Sequence, residues 1–178
     1  MKIIGITGPN ASGKGEAAGY LKTKGFEYNS LSDILREKAK EAGIEESREN
    51  LIALGNKLRS GNGAAFLAQE AIKRMDPSKN YVIDSIRNPA EIAALKKIKG
   101  FRLIGIDAPI ETRFRRIVER KRPGDPKTLR EFIEKEEREN VNDVNNQQLA
   151  NCLKSADTVI INGSTLTAFH KKIDEAIK

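Results

Sequence analysis

Cysteine, histidine and aromatic residues are nearly missing from this chain. Among its 178 residues there is one Cys, one His and no Trp, and aromatics make up 5%. A lone Cys152 rules out an internal disulfide framework, and no Cys/His spacing suits a zinc site. The thiol reads as a partly buried structural group. His170 stands alone near the end of a charged segment and reads as a surface residue, so chemistry built on a histidine base is not expected. So few aromatic faces leave little on which nucleic-acid bases could stack. No apolar run approaches the length of a membrane span. The apolar run at the N-terminus is strand-sized and lacks the basic-then-apolar build of a secretory leader. The expectation is a cytoplasmic protein without nucleic-acid or membrane partners; its oligomeric state is left open.

Charge is what the chain has in quantity. Lys and Arg number 32 against 25 Asp and Glu, a formal net charge of +7, while hydrophobic residues are 38%. A basic balance fits either nucleic acid or small polyanions such as nucleotides. Both signs are mixed in most segments except Arg113 to Arg122, and that dispersal argues against a nucleic-acid face. The length suits one domain, 1–178, with an aliphatic core.

The most specific signal is local. The apolar run Lys2-Ile3-Ile4-Gly5-Ile6-Thr7 leads directly into Gly8-Pro9-Asn10-Ala11-Ser12-Gly13-Lys14-Gly15. A buried strand followed by Gly-x-x-x-x-Gly-Lys is the phosphate-binding P-loop in its expected context. Glycines let successive N–H groups curl inward at the start of a helix and form an anion nest. Lys14 adds a mobile cation for the outer phosphates of a triphosphate such as ATP. The pattern departs from its usual form at one position. The Ser or Thr whose hydroxyl would hold Mg²⁺ is Gly15, followed by Glu16.

Helical and strand patterns alternate along the rest of the chain. Helices are expected from Glu16 to Lys22, from an N-cap at Ser32 to Ala42, from Ser47 or Arg48 to Leu58, and from Ala64 to Met75, with Ser60 to Gly63 as a turn. Later helices are expected at Pro89–Lys97, Ile110–Arg122, Thr128–Arg138 and from Thr165 onward, with Pro123 to Pro126 as a break and Asn140 to Asn146 irregular. Strands are expected at Phe26–Asn29, Tyr81–Asp84, Phe101–Ile106 and Thr158–Ile161, besides the first. This alternation predicts an α/β fold with a doubly wound, parallel, five-stranded sheet, whose ligand lies beyond the carboxyl ends of the strands. The P-loop, Asp84-Ser85-Ile86-Arg87 and Asp107 all fall at such ends.

Three further motifs carry a family resemblance. Ser32-Asp33-Ile34-Leu35-Arg36, after the second strand, resembles the Asp-x-Leu-Arg element of adenylate kinases and related nucleoside monophosphate kinases. Asp84-Ser85-Ile86-Arg87 is similar to their Asp-Gly-x-x-Arg stretch, one residue shorter. The Arg113, Arg115, Arg116, Arg120 and Arg122 segment is similar to a lid arm. The chain as a whole resembles adenylate-kinase-related and dephospho-coenzyme-A-kinase-like P-loop proteins, the latter also through Ala156 to Asn162. It is similar as well to the P-loop module fused to some deoxycytidylate deaminases, without a zinc-deaminase motif.

The resemblance implies an ATP- and Mg²⁺-dependent phosphotransferase with a small nucleotide-like acceptor. It implies an acceptor-binding helical region at 32–75 and a lid-like arm at 113–138. Arg36 and Arg87 would grip the acceptor, with Asp33 and Arg59 beside them and Arg48 nearby. Asp84 would hold Mg²⁺ through water, and Lys14, Arg87, Arg116 and Arg120 would serve the transferring phosphoryl. Each motif also has a plain alternative: a solvated surface helix for Asp33 and Arg36, a strand-end cap for Asp84, a helical partner to Glu91 for Arg87, and surface positions for Arg48 and Arg59. Two rival functions stay open, a dephospho-coenzyme A kinase using Asp33 as base and a module that senses ATP or dNTP without turnover.

Overall fold

The computed structural model describes residues 1–122, 124–139 and 143–178. Pro123 of the expected break and residues 140–142 of the expected irregular stretch lie outside that range. The order of elements is β1 (Ile3–Thr7), α1 (Lys14–Thr23), β2 (Glu27–Ser30), α2 (Leu31–Glu41), α3 (Arg48–Asn62), α4 (Phe66–Lys73) and β3 (Tyr81–Asp84). Then come α5 (Pro89–Leu95), β4 (Phe101–Asp107), α6 (Ile110–Arg120), α7 (Leu129–Glu139), α8 (Leu149–Lys154), β5 (Thr158–Ile161) and α9 (Leu166–Ala176). The five strands form one sheet in the order β2-β3-β1-β4-β5, every pairing parallel. Parallel neighbours need a crossover, which explains why each strand is followed by a helix.

Strand periodicity divides the core in two. Ile3, Ile83 and Leu103 point to one face and pack with α2, α3, α4, α5 and Cys152 of α8. Ile4, Ile6, Val82, Ile104 and Ile160 point to the other and pack with α1 and α9. Such strands, covered on both faces, read in sequence as continuous apolar runs. The consequence for function is placement. Thr7, Ser30, Asp84, Asp107 and Ile161 end the strands along one edge of the sheet, where register sets Ser30 beside Asp84 and Asp107 beside Ile161.

Several boundaries differ from the sequence expectation. α3 runs through Ser60-Gly61-Asn62 and ends at Gly63, because its packing outweighs the turn preference of those residues. α2 begins at Leu31, with Ser30 at the N-cap position, so Ser32 lies in the first turn. α6 stops at Arg120, where Lys121 adopts φ 49. The short helix α8 falls in a stretch for which no element was expected.

Candidate functional site

The segment 8–15 wraps between β1 and α1. Two glycines there answer steric demands. Gly8 has φ +140, and a Cβ on it would meet the carbonyl oxygen of Ile106. Gly13 has φ +110, and a Cβ would strike Nδ2 of Asn162. No L side chain tolerates either position without movement. The loop carbonyls are held from outside. Arg116 Nη1 donates to the carbonyls of Ala11 and Ser12, both at 3.1 Å, and Asn162 Nδ2 donates to that of Ser12 at 2.9 Å. Arg113 Nη1 reaches the carbonyl of Asn10 at 3.4 Å. In a trans peptide N–H and C=O point oppositely. Turning these carbonyls outward therefore turns the N–H groups of residues 11 and 13 toward the concave side of the loop, while the Ser12 N–H donates to the Pro9 carbonyl at 3.4 Å. That is the geometry of an anion nest at a helix start.

Lys14 folds back over the nest, and its Nζ donates to the carbonyls of Gly8 and Pro9, each at 2.8 Å. Loss of water, then the Arg87 guanidinium, push its pKa down to about 8, against the pull of Asp84 and Glu136. A cavity of about 220 Å³ opens beside it, lined by Gly8, Pro9, Asn10, Arg48, Arg87, Arg113 and Glu136 among others. Asn10, Arg48, Arg87 and Glu136 also border a groove of about 760 Å³ that extends along α2 and α3. Two spaces meeting at one cationic junction suit two ligands that share a phosphate.

The structure brings together much of the expected constellation. Arg87 lines both spaces, and its Nη1 donates to Gln147 Oε1 at 3.2 Å. Asp84 is 8% exposed, and its Oδ1 accepts from the Ser85 N–H at 2.6 Å. Asp33 and Arg36 pair with each other at 2.7 Å, exposed at the rim of the larger groove, with Glu46 3.7 Å from the Arg36 guanidinium. Arg120 borders the groove through a bidentate pair with Asp125, at 2.8 and 2.7 Å. Gly15 and Glu16 lie outside both spaces: a Cβ on Gly15 would meet nothing within 4 Å, and the Glu16 carboxylate accepts from the His170 ring at 2.8 Å.

Arg59 lines the back of the groove and does not take the surface position that was its alternative: it is 3% exposed, with Nε and Nη2 both on Glu91. Glu91 does not pair with the Arg87 side chain through that contact; it accepts the Arg87 backbone N–H. His170 is stacked on Tyr20 with ring centroids 3.9 Å apart, which ties α9 to α1. Cys152 is fully buried, and burial pushes its thiol up to about 12, so it is no nucleophile.

Two functional candidates escaped the sequence reading. Glu136 pairs with Arg113 inside the cationic cavity. Its position four residues after the buried Phe132 put an acid on the apolar face of α7, which was the available signal. Asn162 follows directly on β5, another strand end, and holds the loop by its side chain.

The donor set is compatible with Mg²⁺. Asp84 offers a hard carboxylate oxygen at the end of β3, near enough to act on the Lys14 charge, Gly15 offers none, and Ser12 Oγ is buried with no partner among the described residues. Mg²⁺ commonly binds through one carboxylate, phosphates and several waters.

Comparisons with known proteins agree with this architecture. Residues 4–142 match the family described as AAA domain. A UPF0200 protein of Methanoculleus marisnigri is 35% identical over 97% of this chain and 93% of its own. Another, of Sulfurisphaera tokodaii, is 32% identical over 100% and 97%. Among solved structures, shikimate kinase from Bacteroides thetaiotaomicron superposes with a TM-score of 0.61 at 14% identity, over 98% of this chain and 97% of that one. The Mycobacterium tuberculosis APS kinase CysC, in complex with AMPPNP and APS, gives 0.56 at 17% identity, over 99% and 96%. The α/β fold with its parallel sheet is thus shared with proteins described as kinases, and the chain belongs to the AAA domain family and to the UPF0200 proteins.

Proposed function

We infer that this protein is a phosphotransferase that moves the γ-phosphoryl group of ATP to a small nucleotide-like acceptor. The observation that carries the reading is the junction of the two spaces at Arg48 and Arg87, beside Lys14 and the nest. The N–H groups of the loop hold the β-phosphate of the donor, and Lys14 leaves the Gly8 and Pro9 carbonyls to bridge toward the γ-phosphate. Arg87 and Arg36 receive the acceptor's anionic end from the larger groove. Asp84 would hold Mg²⁺ through water, and the ion would supply charge neutralisation to the donor phosphates. Phosphoryl transfer asks the protein mainly to position groups and stabilise charge, so no histidine base is required. Arg113 and Arg116 act on this account by holding the loop carbonyls outward, while Arg120 borders the acceptor groove.

A dephospho-coenzyme A kinase would need a base at the acceptor hydroxyl. Asp33, exposed and paired with Arg36 at the rim, gives that rival less support. The absent hydroxyl at Gly15 favours the other rival, nucleotide sensing without turnover. Release of ADP measured across a panel of nucleoside monophosphates, deoxynucleoside monophosphates and dephospho-coenzyme A separates the three. Acceptor-dependent release with a monophosphate is expected. Tight ATP binding with transfer to no acceptor would sink the kinase reading.

A further inference from the structure

Arg59 and Glu91 form the most deeply buried ion pair among the described residues, with side chains 4% and 0% exposed. Removing two charges from water is costly, and such a pair is weak evidence for stability on its own. Its second set of contacts is more informative. Glu91 Oε1 accepts from Arg59 Nε and Nη2 at 3.0 and 2.8 Å, while Oε2 accepts the N–H groups of Arg87 at 2.9 Å and Asn88 at 3.1 Å. One carboxylate therefore joins α3 to the backbone of the loop between β3 and α5.

That loop is held on its other sides as well. The Thr7 hydroxyl donates to the Ile86 carbonyl at 2.8 Å, and the Gln148 N–H donates to the Arg87 carbonyl at 2.7 Å. Asn88 Nδ2 donates to the carbonyls of Val144 and Asn146 at 2.7 and 2.9 Å. With its N–H and C=O both fixed, the Arg87 backbone has little freedom, and its guanidinium enters the cavity beside Lys14. The same ion pair holds α3, whose first residue Arg48 lines that cavity.

We propose that Glu91, held in turn by Arg59, is a positioning residue that aims Arg87 at the phosphate shared by the two ligands. This rests on the phosphotransferase reading and deepens it, since it names what orients the acceptor-side cation. Arg59 then acts on Arg87 through Glu91. Groups that orient a binding residue in this way commonly change affinity about 10–100-fold when altered.

The test is a double-mutant square on the full chain, read as the calorimetric dissociation constant for inorganic tripolyphosphate. That probe binds by phosphate alone and is long enough to run from the nest toward Arg87. Coulomb's law gives the sign expected without positioning: Glu91→Gln deletes a negative charge and tightens anion binding. Positioning predicts the opposite, a loss of about tenfold in the wild-type background and under about twofold in Arg87→Ala, because interacting residues are not additive. Tightening by Glu91→Gln, equal losses in both backgrounds, or no effect of Arg87→Ala overturns the proposal. Should Glu91→Gln fail to fold, Arg59→Lys, which keeps a cation beside the carboxylate, takes its place in the same square. Weaker binding in Lys14→Ala together with an additive square removes this proposal and leaves the phosphate nest standing. No affinity of the wild type for tripolyphosphate removes both.

Discussion

Lys14 is where single-residue chemistry decides most. Burial beside Arg87 holds its pKa at about 8, well below the ordinary lysine value. Below pH 8 it is charged and fit to meet a phosphate; above that it increasingly is not. A bound polyphosphate favours the charged form and raises this pKa. Affinity for the magnesium complex of ATP is therefore expected to be level below about pH 7, with the ammonium present, and to decline as pH rises through 8. Near pH 8 binding should take up a proton, which titrations in buffers of different ionisation enthalpy will reveal. Level affinity from pH 7 to 9.5 would contradict this. Gly15 gives a second test at this scale. A side chain there meets open space, and in the first turn of α1 it also removes the cost of a helical glycine, about 0.5–1 kcal/mol. Gly15→Ser should therefore leave the melting temperature unchanged or slightly raised, and lower the Mg²⁺ concentration needed for half-maximal turnover. An unchanged Mg²⁺ requirement would argue that the metal sits elsewhere.

Helices α6 and α7 show what one element adds to another. α6 presents Arg113, Arg116 and Arg120 along one face, and all three reach P-loop atoms: the Asn10, Ala11 and Ser12 carbonyls and the Asn10 side chain. α7 answers with Glu136 on Arg113 and with Phe132, whose ring lies 5.3 Å from the Arg113 guanidinium. Glu136 thus occupies a position among cations that a phosphate would also seek. Glu136→Gln is expected to tighten tripolyphosphate binding several-fold, opposite in sign to Glu91→Gln, because Glu136 neutralises the site while Glu91 shapes it. Weaker binding in Glu136→Gln would mean that Arg113 needs its partner to stay in place. Legibility followed from this layering. The placement of Lys14, Asp84 and Arg87 at or just beyond strand ends was readable because the alternation of strands and helices fixes where the chain leaves the sheet. The Arg59–Glu91 pair was not readable, because nothing in a linear chain pairs position 59 with position 91. Glu136 was hidden for the same reason, its partner Arg113 lying on another helix.

At the scale of the molecule, alternating apolar runs and helical segments specify a sheet covered on both faces. Both core clusters are mainly aliphatic, with Tyr81 in one and Phe26 and Phe169 in the other. The five strands and their parallel sense were legible, since each rests on period and order along the chain. The short helix α8 was not, because six residues with four apolar positions give no clear period; tertiary contact with α5, β1 and β4 forms it. Among the described residues no helix is long and apolar enough to cross a membrane. The whole arrangement converges on the concave face of residues 8 to 14. Calorimetric titration of the wild type and Lys14→Ala with ATP and Mg²⁺ tests that convergence most directly. The account predicts saturable binding in the wild type that is at least about tenfold weaker in Lys14→Ala, a loss of the size expected for a charge-assisted contact. Equal affinity in the two proteins, or no binding to either, would contradict it.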